Sequence, residues 1–135
     1  MNEHILIADD DEDDRLLLKE AFEAAGSRLN IAFAQNGLEV FDSLNSNNQC
    51  PKVILLDLNM PRKNGLDVLK ELKSNPKYNC IPVIIFSTSE VKEQIQTCYK
   101  LGASTFIIKP ASFQALVTIA HMIIGYWIHT AVLPY

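Results

Sequence analysis

Cysteine is scarce and poorly placed for either of its structural uses. Cys50, Cys80 and Cys98 are odd in number, widely spaced and never form a CxxC pair, so neither a zinc site nor a disulfide framework is indicated. Three reduced thiols in a reducing cytosol are the plain reading. A surplus of positive charge is also missing: 12 lysines and arginines stand against 16 aspartates and glutamates, for a formal net charge of -4. Wholesale binding to nucleic acid is therefore not expected. Strand one is followed by no glycine-rich phosphate loop, which removes the common dinucleotide and P-loop folds. The greasiest stretch, Leu116 to Leu133, is interrupted by Thr118, His121, His129 and Thr130. Its unbroken runs fall well short of the roughly 20 apolar residues of a membrane span. The start, Met1-Asn2-Glu3-His4, has neither the basic region nor the apolar run of a signal peptide. These absences lead to the expectation of a cytoplasmic protein with no membrane contact. No repeats, low-complexity tracts or Pro/Ser linkers divide the chain, so residues 1–135 are expected to form a single domain without an attached output module.

Short apolar runs alternate with longer amphipathic ones. His4 to Ala8, Asn30 to Ala34, Val53 to Leu56, Pro82 to Phe86 and Thr105 to Ile108 have strand length, and three of them are almost wholly aliphatic. Between them apolar residues recur at helical spacing: Leu16, Leu17, Ala21 and Ala25; Val40, Phe41 and Leu44; Leu66, Leu69 and Leu72; Val91, Ile95, Cys98 and Leu101; and a last helix from Phe113 to about Ile128. Gly26 and Gly102 suit helix ends. Asn45 to Gln49 reads as a polar loop before Pro51, and Asn59 to Gly65 as a loop after the third strand. Strict strand–helix alternation with near-continuous apolar strands argues for a parallel sheet covered on both faces. The expected architecture is α/β, a five-stranded doubly wound parallel sheet of flavodoxin-like order 2-1-3-4-5.

In such sheets ligands bind outside the carboxyl ends of the strands. Those ends carry Asp9 and Asp10, Asp57, Ser87 and Thr88, and Lys109, each polar directly after an apolar strand. Three carboxylates converging on one rim repel one another unless a cation sits among them or protons are taken up. Oxygen ligands with no histidine or cysteine beside them point to Mg²⁺, which also accepts phosphoryl oxygens. A carboxylate such as Asp57 can attack phosphorus and form an aspartyl phosphate. Mg²⁺ and the Lys109 ammonium would then neutralise the charge on the transferring group.

Ile5-Leu6-Ile7-Ala8-Asp9-Asp10, Leu55-Leu56-Asp57-Leu58-Asn59-Met60-Pro61, Gly65, Phe86-Ser87, Gly102-Ala103 and Lys109-Pro110 together resemble the signature of bacterial response-regulator receiver domains, over about residues 4 to 124. The resemblance implies a two-component signalling switch rather than an enzyme proper: a phosphoacceptor, assisting its own phosphorylation and dephosphorylation, that receives a phosphoryl group on Asp57 from a sensor histidine kinase. It implies that Asp9, Asp10, Asp57 and the backbone carbonyl of Asn59 hold Mg²⁺. Ser87 would hydrogen-bond the phosphoryl group, Lys109 would pair with it, and Phe106 would move inward on activation. It also implies a cis peptide bond between Lys109 and Pro110. Phe106 lacks the hydroxyl that many receivers carry as Tyr, and Ala111 stands where an aromatic is common. The acid run Asp9 to Asp14 followed by Arg15-Leu16, the Ser87-Thr88-Ser89 loop, and the tail Tyr126-Trp127 with Val132-Leu133-Pro134 are similar to single-domain regulators that partner bacterial phytochromes. That narrower resemblance implies a light-sensing kinase partner and a homodimer built on the C-terminal segment from about residue 126.

Several of these residues also have plain structural readings. Asp11, Glu12, Asp13 and Asp14 are accounted for as acids meeting the positive end of a helix. Thr88 and Ser89 read as local caps, Phe106 as core, and His4, His121 and His129 as isolated surface or packing residues. Haloacid-dehalogenase-like phosphatases also use a strand-end aspartate with Mg²⁺, but their second acid lies two residues after the nucleophile, where this chain has Asn59. The last helix carries more apolar residues than one buried stripe needs. The surplus predicts a second contact, with Trp127 as its anchor. No DNA-binding region follows, so the expected output is through protein contacts.

Overall fold

The computed structural model describes residues 4–26, 28–46 and 49–135. Asn47 and Asn48, inside the expected polar loop, and Met1 to Glu3 lie outside the described residues. Five strands, β1 (His4–Ala8), β2 (Asn30–Ala34), β3 (Val53–Leu56), β4 (Val83–Ser87) and β5 (Thr105–Ile108), alternate with five helices. The helices are α1 (Glu12–Ala24), α2 (Gly37–Ser46), α3 (Gly65–Ser74), α4 (Lys92–Lys100) and α5 (Phe113–Ile123). The strands are all parallel, in the order β2-β1-β3-β4-β5, which is the expected doubly wound topology.

The period-two side-chain alternation of a strand splits the core into two layers. Leu6, Ala8, Ile54, Leu56, Val83 and Ile85 face Val40, Leu44, Val68, Leu69, Leu72 and Cys98 of α2, α3 and α4. Ile5, Ile7, Val53, Leu55, Ile84 and Phe86 face Leu18, Ala21, Phe22, Leu116, Ala120 and Ile123 of α1 and α5. Both faces of the central strands are therefore dry, which explains their unbroken aliphatic sequence. Full burial of each such side chain contributes about 1.5–3 kcal/mol before chain entropy is subtracted.

Caps fix where the helices begin and end. Asp11 accepts the N–H groups of Asp13 and Asp14 at the start of α1, and Asn64 and Ser112 do the same for α3 and α5. Gly26 and Gly102, with φ of +80° and +106°, follow the last residues of α1 and α4, as a left-handed terminating residue should. Three details differ from expectation. Asn45 and Ser46, expected in the polar loop, are the last residues of α2. The last helix is not α-helical to Ile128: it changes after Ile123 into a π-helical turn over Ile124–Ile128. The Lys109–Pro110 bond, expected to be cis, is trans, like every other peptide bond among the described residues. An X–Pro bond favours trans by only about 0.5–1 kcal/mol, so the dipeptide alone does not set the isomer.

The tail folds partly back. The Tyr135 hydroxyl donates to the Pro51 carbonyl at 2.9 Å, just ahead of β3 and so on the edge opposite the strand-end acids. Trp127 is half-buried against the α1/α5 core, edge-on to Tyr126 at 4.8 Å. Tyr126 and Met122 stay more than half exposed. No helix among the described residues is long and apolar enough to cross a membrane.

Candidate functional site

Strand ends build the site. β1 stops at Ala8, which leaves Asp9 buried and Asp10 exposed on the rim. β3 stops at Leu56, and the Asp57 N–H donates to the Ala8 carbonyl at 3.0 Å, tying the two acidic ends together. Carboxylate oxygens of Asp9, Asp10 and Asp57 lie within 4.8 Å of one another. After β5, the Lys109 N–H donates to the Ser87 carbonyl at 2.9 Å. This places the Lys109 side chain above the Phe86 ring, with its ammonium 2.9 Å from Asp9 and 3.6 Å from Asp57.

Gly65 permits the close approach of α3 to this rim. A Cβ there would lie 2.2 Å from the Asp57 carbonyl oxygen and 2.7 Å from Leu58 Cα. With hydrogen alone in that place, the Gly65 N–H reaches the Leu58 carbonyl at 2.9 Å and closes the loop after Asp57.

The electrostatics are those of a site short of positive charge. Burial pushes the Asp57 carboxyl above the usual carboxylate range; Lys109 opposes this, Asp9 and Asp10 add to it, and the Asn59 N–H opposes it. Burial alone would lower the Lys109 ammonium. Its hydrogen bond to Asp9, the charges of Asp9 and Asp57 and a hydrogen bond to Asp14 instead hold it well above the ordinary lysine range. One ammonium thus serves three carboxylates, Asp9, Asp14 and Asp57. Three hard oxygen donors this close, with their repulsion only partly relieved, fit a divalent cation.

The expected residues distribute unevenly. Asp9, Asp10, Asp57 and Lys109 come together. Ser87 is fully buried at the last position of β4, with its Oγ accepting the Ser89 N–H at 3.2 Å. Phe106 sits apart, half-buried against the α2/α3/α4 core, its N–H donating to the Tyr99 hydroxyl at 3.0 Å. Ser89 Oγ accepts the Val91 N–H at 3.3 Å, a local cap. Ala111 leaves room beside Lys109 for a groove of about 320 Å³ lined also by Leu17, Leu18, Phe86, Pro110 and Leu116.

Two contributors escape a reading of the sequence. Arg15 Nη1 donates to the Asp9 carbonyl at 2.8 Å and anchors the loop between β1 and α1. Asp14, explained above as a helix-end acid, lies 3.1 Å from Lys109 Nζ. Its sequence signals are its place three residues after the Asp11 cap and its membership of the acid run before Arg15-Leu16, neither of which points to Lys109.

Comparison with known proteins agrees with this geometry. Residues 5–121 match the model of the response regulator receiver domain. Response regulator Rcp1 of Synechocystis sp. is 30% identical over 135 residues, covering 96% of this chain and 92% of that protein. The Mn²⁺-bound form of Rcp1 superposes with a TM-score of 0.87 at 28% identity, covering 98% of this chain and 99% of that one. The phosphorylated cyanobacterial phytochrome response regulator RcpA superposes with a TM-score of 0.91 at 34% identity over the whole of both chains. A response regulator in red light signalling of R. palustris gives 0.90 at 30% identity, covering 98% of this chain and 99% of that one.

Proposed function

The chain belongs to the response regulator receiver domain family of two-component signalling, and from that premise we propose that Asp57 is its phosphoacceptor, served by Asp9, Asp10 and Lys109. The observation that carries this reading is the Asp57 carboxylate at the end of β3, with Asp9 and Asp10 carboxylates within 4.8 Å and Lys109 Nζ 3.6 Å away.

Asp9, Asp10 and Asp57, with the Asn59 carbonyl, are the residues that would hold Mg²⁺, the divalent cation suited to an all-oxygen site next to a phosphoryl group. Bound there, it supplies charge neutralisation for the phosphoryl oxygens. The chain's own residues do the rest. An Asp57 oxygen attacks phosphorus in line as the bond to the donor histidine nitrogen breaks, and the imidazole leaves with that electron pair. Lys109 balances the charge gathered on the phosphoryl oxygens. Ser87 Oγ turns from the Ser89 N–H to donate to the phosphoryl group, and Phe106 moves inward from its half-buried position on β5. In this role the chain assists its own phosphorylation and dephosphorylation and turns over no other substrate.

The donor we propose is a sensor histidine kinase of the phytochrome type, supported by the phytochrome regulators among the similar proteins. Transfer from such a kinase takes place in the cytoplasm. Residues 1–135 act as one receiver domain, with output through protein contacts rather than DNA, and pair as a homodimer through α5 and the tail. The exposed Met122, Tyr126 and Val132 support that last assignment.

Acetyl phosphate with Mg²⁺, followed by intact-mass measurement, tests the acceptor. The wild-type chain should gain one phosphoryl group and Asp57→Asn none; a phosphorylated Asp57→Asn chain would move the role to another carboxylate.

A further inference from the structure

Lys109 is shared. Its ammonium lies 2.9 Å from Asp9 Oδ2, 3.1 Å from Asp14 Oδ2 and 3.6 Å from Asp57 Oδ2. Asp9 belongs to the acid trio, whereas Asp14 sits outside it, on the first turn of α1. Asp11 caps that turn by accepting the Asp13 and Asp14 N–H groups, and the Asp9 carbonyl is pinned by Arg15. The turn, and Asp14 with it, is therefore fixed relative to the rim. The ammonium lies closer to Asp9 and to Asp14 of α1 than to Asp57, the residue whose phosphoryl group it is to serve.

We infer that Asp14 is a positioning residue for Lys109, a resting counter-ion that the phosphoryl group on Asp57 must outcompete. This inference rests on the reading of Asp57 as phosphoacceptor and Lys109 as the phosphoryl partner. Phosphorylation replaces the single negative charge of the Asp57 carboxylate with a phosphoryl group of about two, enough to draw the ammonium away from a single carboxylate that is 38% exposed and screened by water. Asp14 then sets a threshold. It steadies the unphosphorylated arrangement at the end of β5, directly after which Lys109 stands, and its pairing with Lys109 opposes engagement of the phosphoryl group. A plain helix-end role predicts something different, because Asp13 meets the same macrodipole from the same turn without touching Lys109.

Beryllofluoride, a stable phosphoryl mimic, separates these alternatives when its binding is followed by ¹⁹F NMR at saturating Mg²⁺. Asp14→Asn should bind it about threefold or more tightly than wild type, the size expected for loss of one partly exposed ion pair. Asp14→Glu should restore the wild-type affinity, and Asp13→Asn should leave it unchanged. In the absence of Mg²⁺ and beryllofluoride, ¹⁵N NMR of the lysine side chains should show faster proton exchange at the Lys109 ammonium in Asp14→Asn only. Equal affinities for wild type, Asp14→Asn and Asp13→Asn would overturn the inference while leaving Asp57 as acceptor. An equal gain in both neutralised variants would reduce Asp14 to a general charge effect and also overturn it. A wild-type chain that fails to bind beryllofluoride would overturn both the acceptor reading and this one.

Discussion

Asp57 holds its charge in an unfavourable place, and that has a measurable sign. Burial raises its folded-state pKa, with Asp9 and Asp10 adding to the rise and Lys109 and the Asn59 N–H opposing it. The unfolded chain ionises Asp57 at ordinary carboxylate values, so below that range both states are protonated and no penalty exists. As pH rises from there through the folded pKa, the folded state resists losing its proton and stability is progressively lost. Asparagine resembles the neutral acid, so without divalent cation Asp57→Asn should melt higher than wild type at pH 7, with the gap closing on acidification. Thermal melts at pH 3.5 and 7 in chelator decide it, and a variant no more stable at pH 7 would count against the buried, repelled carboxylate. At this scale the site was largely legible in the sequence, because Asp9, Asp57 and Lys109 each interrupt an aliphatic strand. Asp14 was not legible. Which way a first-turn side chain faces depends on how α1 is set beside α5 over the sheet, and no spacing within α1 encodes that. The trans Lys109–Pro110 bond was hidden for a similar reason, since the energy separating the two isomers is small.

Between elements, hydrogen in place of a side chain sets the spacing. Gly65 lets the start of α3 press on the backbone of Asp57 and Leu58, and a methyl group there meets main chain rather than a yielding side chain. Gly65→Ala should therefore cost about 2 kcal/mol or more of folding stability, the range for inserting a group into a closed space. Urea denaturation measures it, and the same shift of β3 against α3 should weaken divalent-cation binding. A neutral substitution would mean that the α3 junction is slack. The strands and their order could be read from alternation of aliphatic and amphipathic runs, because two-sided burial leaves that pattern little freedom. α4 was harder to place. Its spacing suggests a four-residue stripe of Val91, Ile95, Cys98 and Leu101, yet Cys98 alone is fully buried and Val91 is mostly exposed, because α4 covers the sheet beside its edge strand, where less core remains to be covered.

For the whole molecule, the tail divides its apolar surface between inside and outside. Trp127 packs on its own domain, so Trp127→Ala should lower folding stability by about 2 kcal/mol through lost packing. Met122 and Tyr126 remain exposed and are the better anchors for a second copy. Sedimentation at micromolar concentration should find a dimer, and joint Met122→Ser and Tyr126→Ala substitution should weaken it at least about tenfold, or about 1.4 kcal/mol. A wild-type monomer would leave the fold-back contact of Tyr135 as the tail's whole purpose. The sequence showed the surplus of apolar residues but not this division, which is decided by the π-helical turn over Ile124–Ile128. Such a turn holds one more residue than an α-helical turn would, so it acts as a phase shifter between the domain and its tail. Because the turn absorbs that extra residue, the tail is aimed as an α-helix one residue shorter would aim it; the same sequence wound at α pitch throughout would turn everything beyond by about 100° around the helix axis. Loss of a single codon at this point should therefore be taken up by the turn, leaving both the direction of the tail and the strand-end chemistry, some eleven residues of α5 away, unchanged.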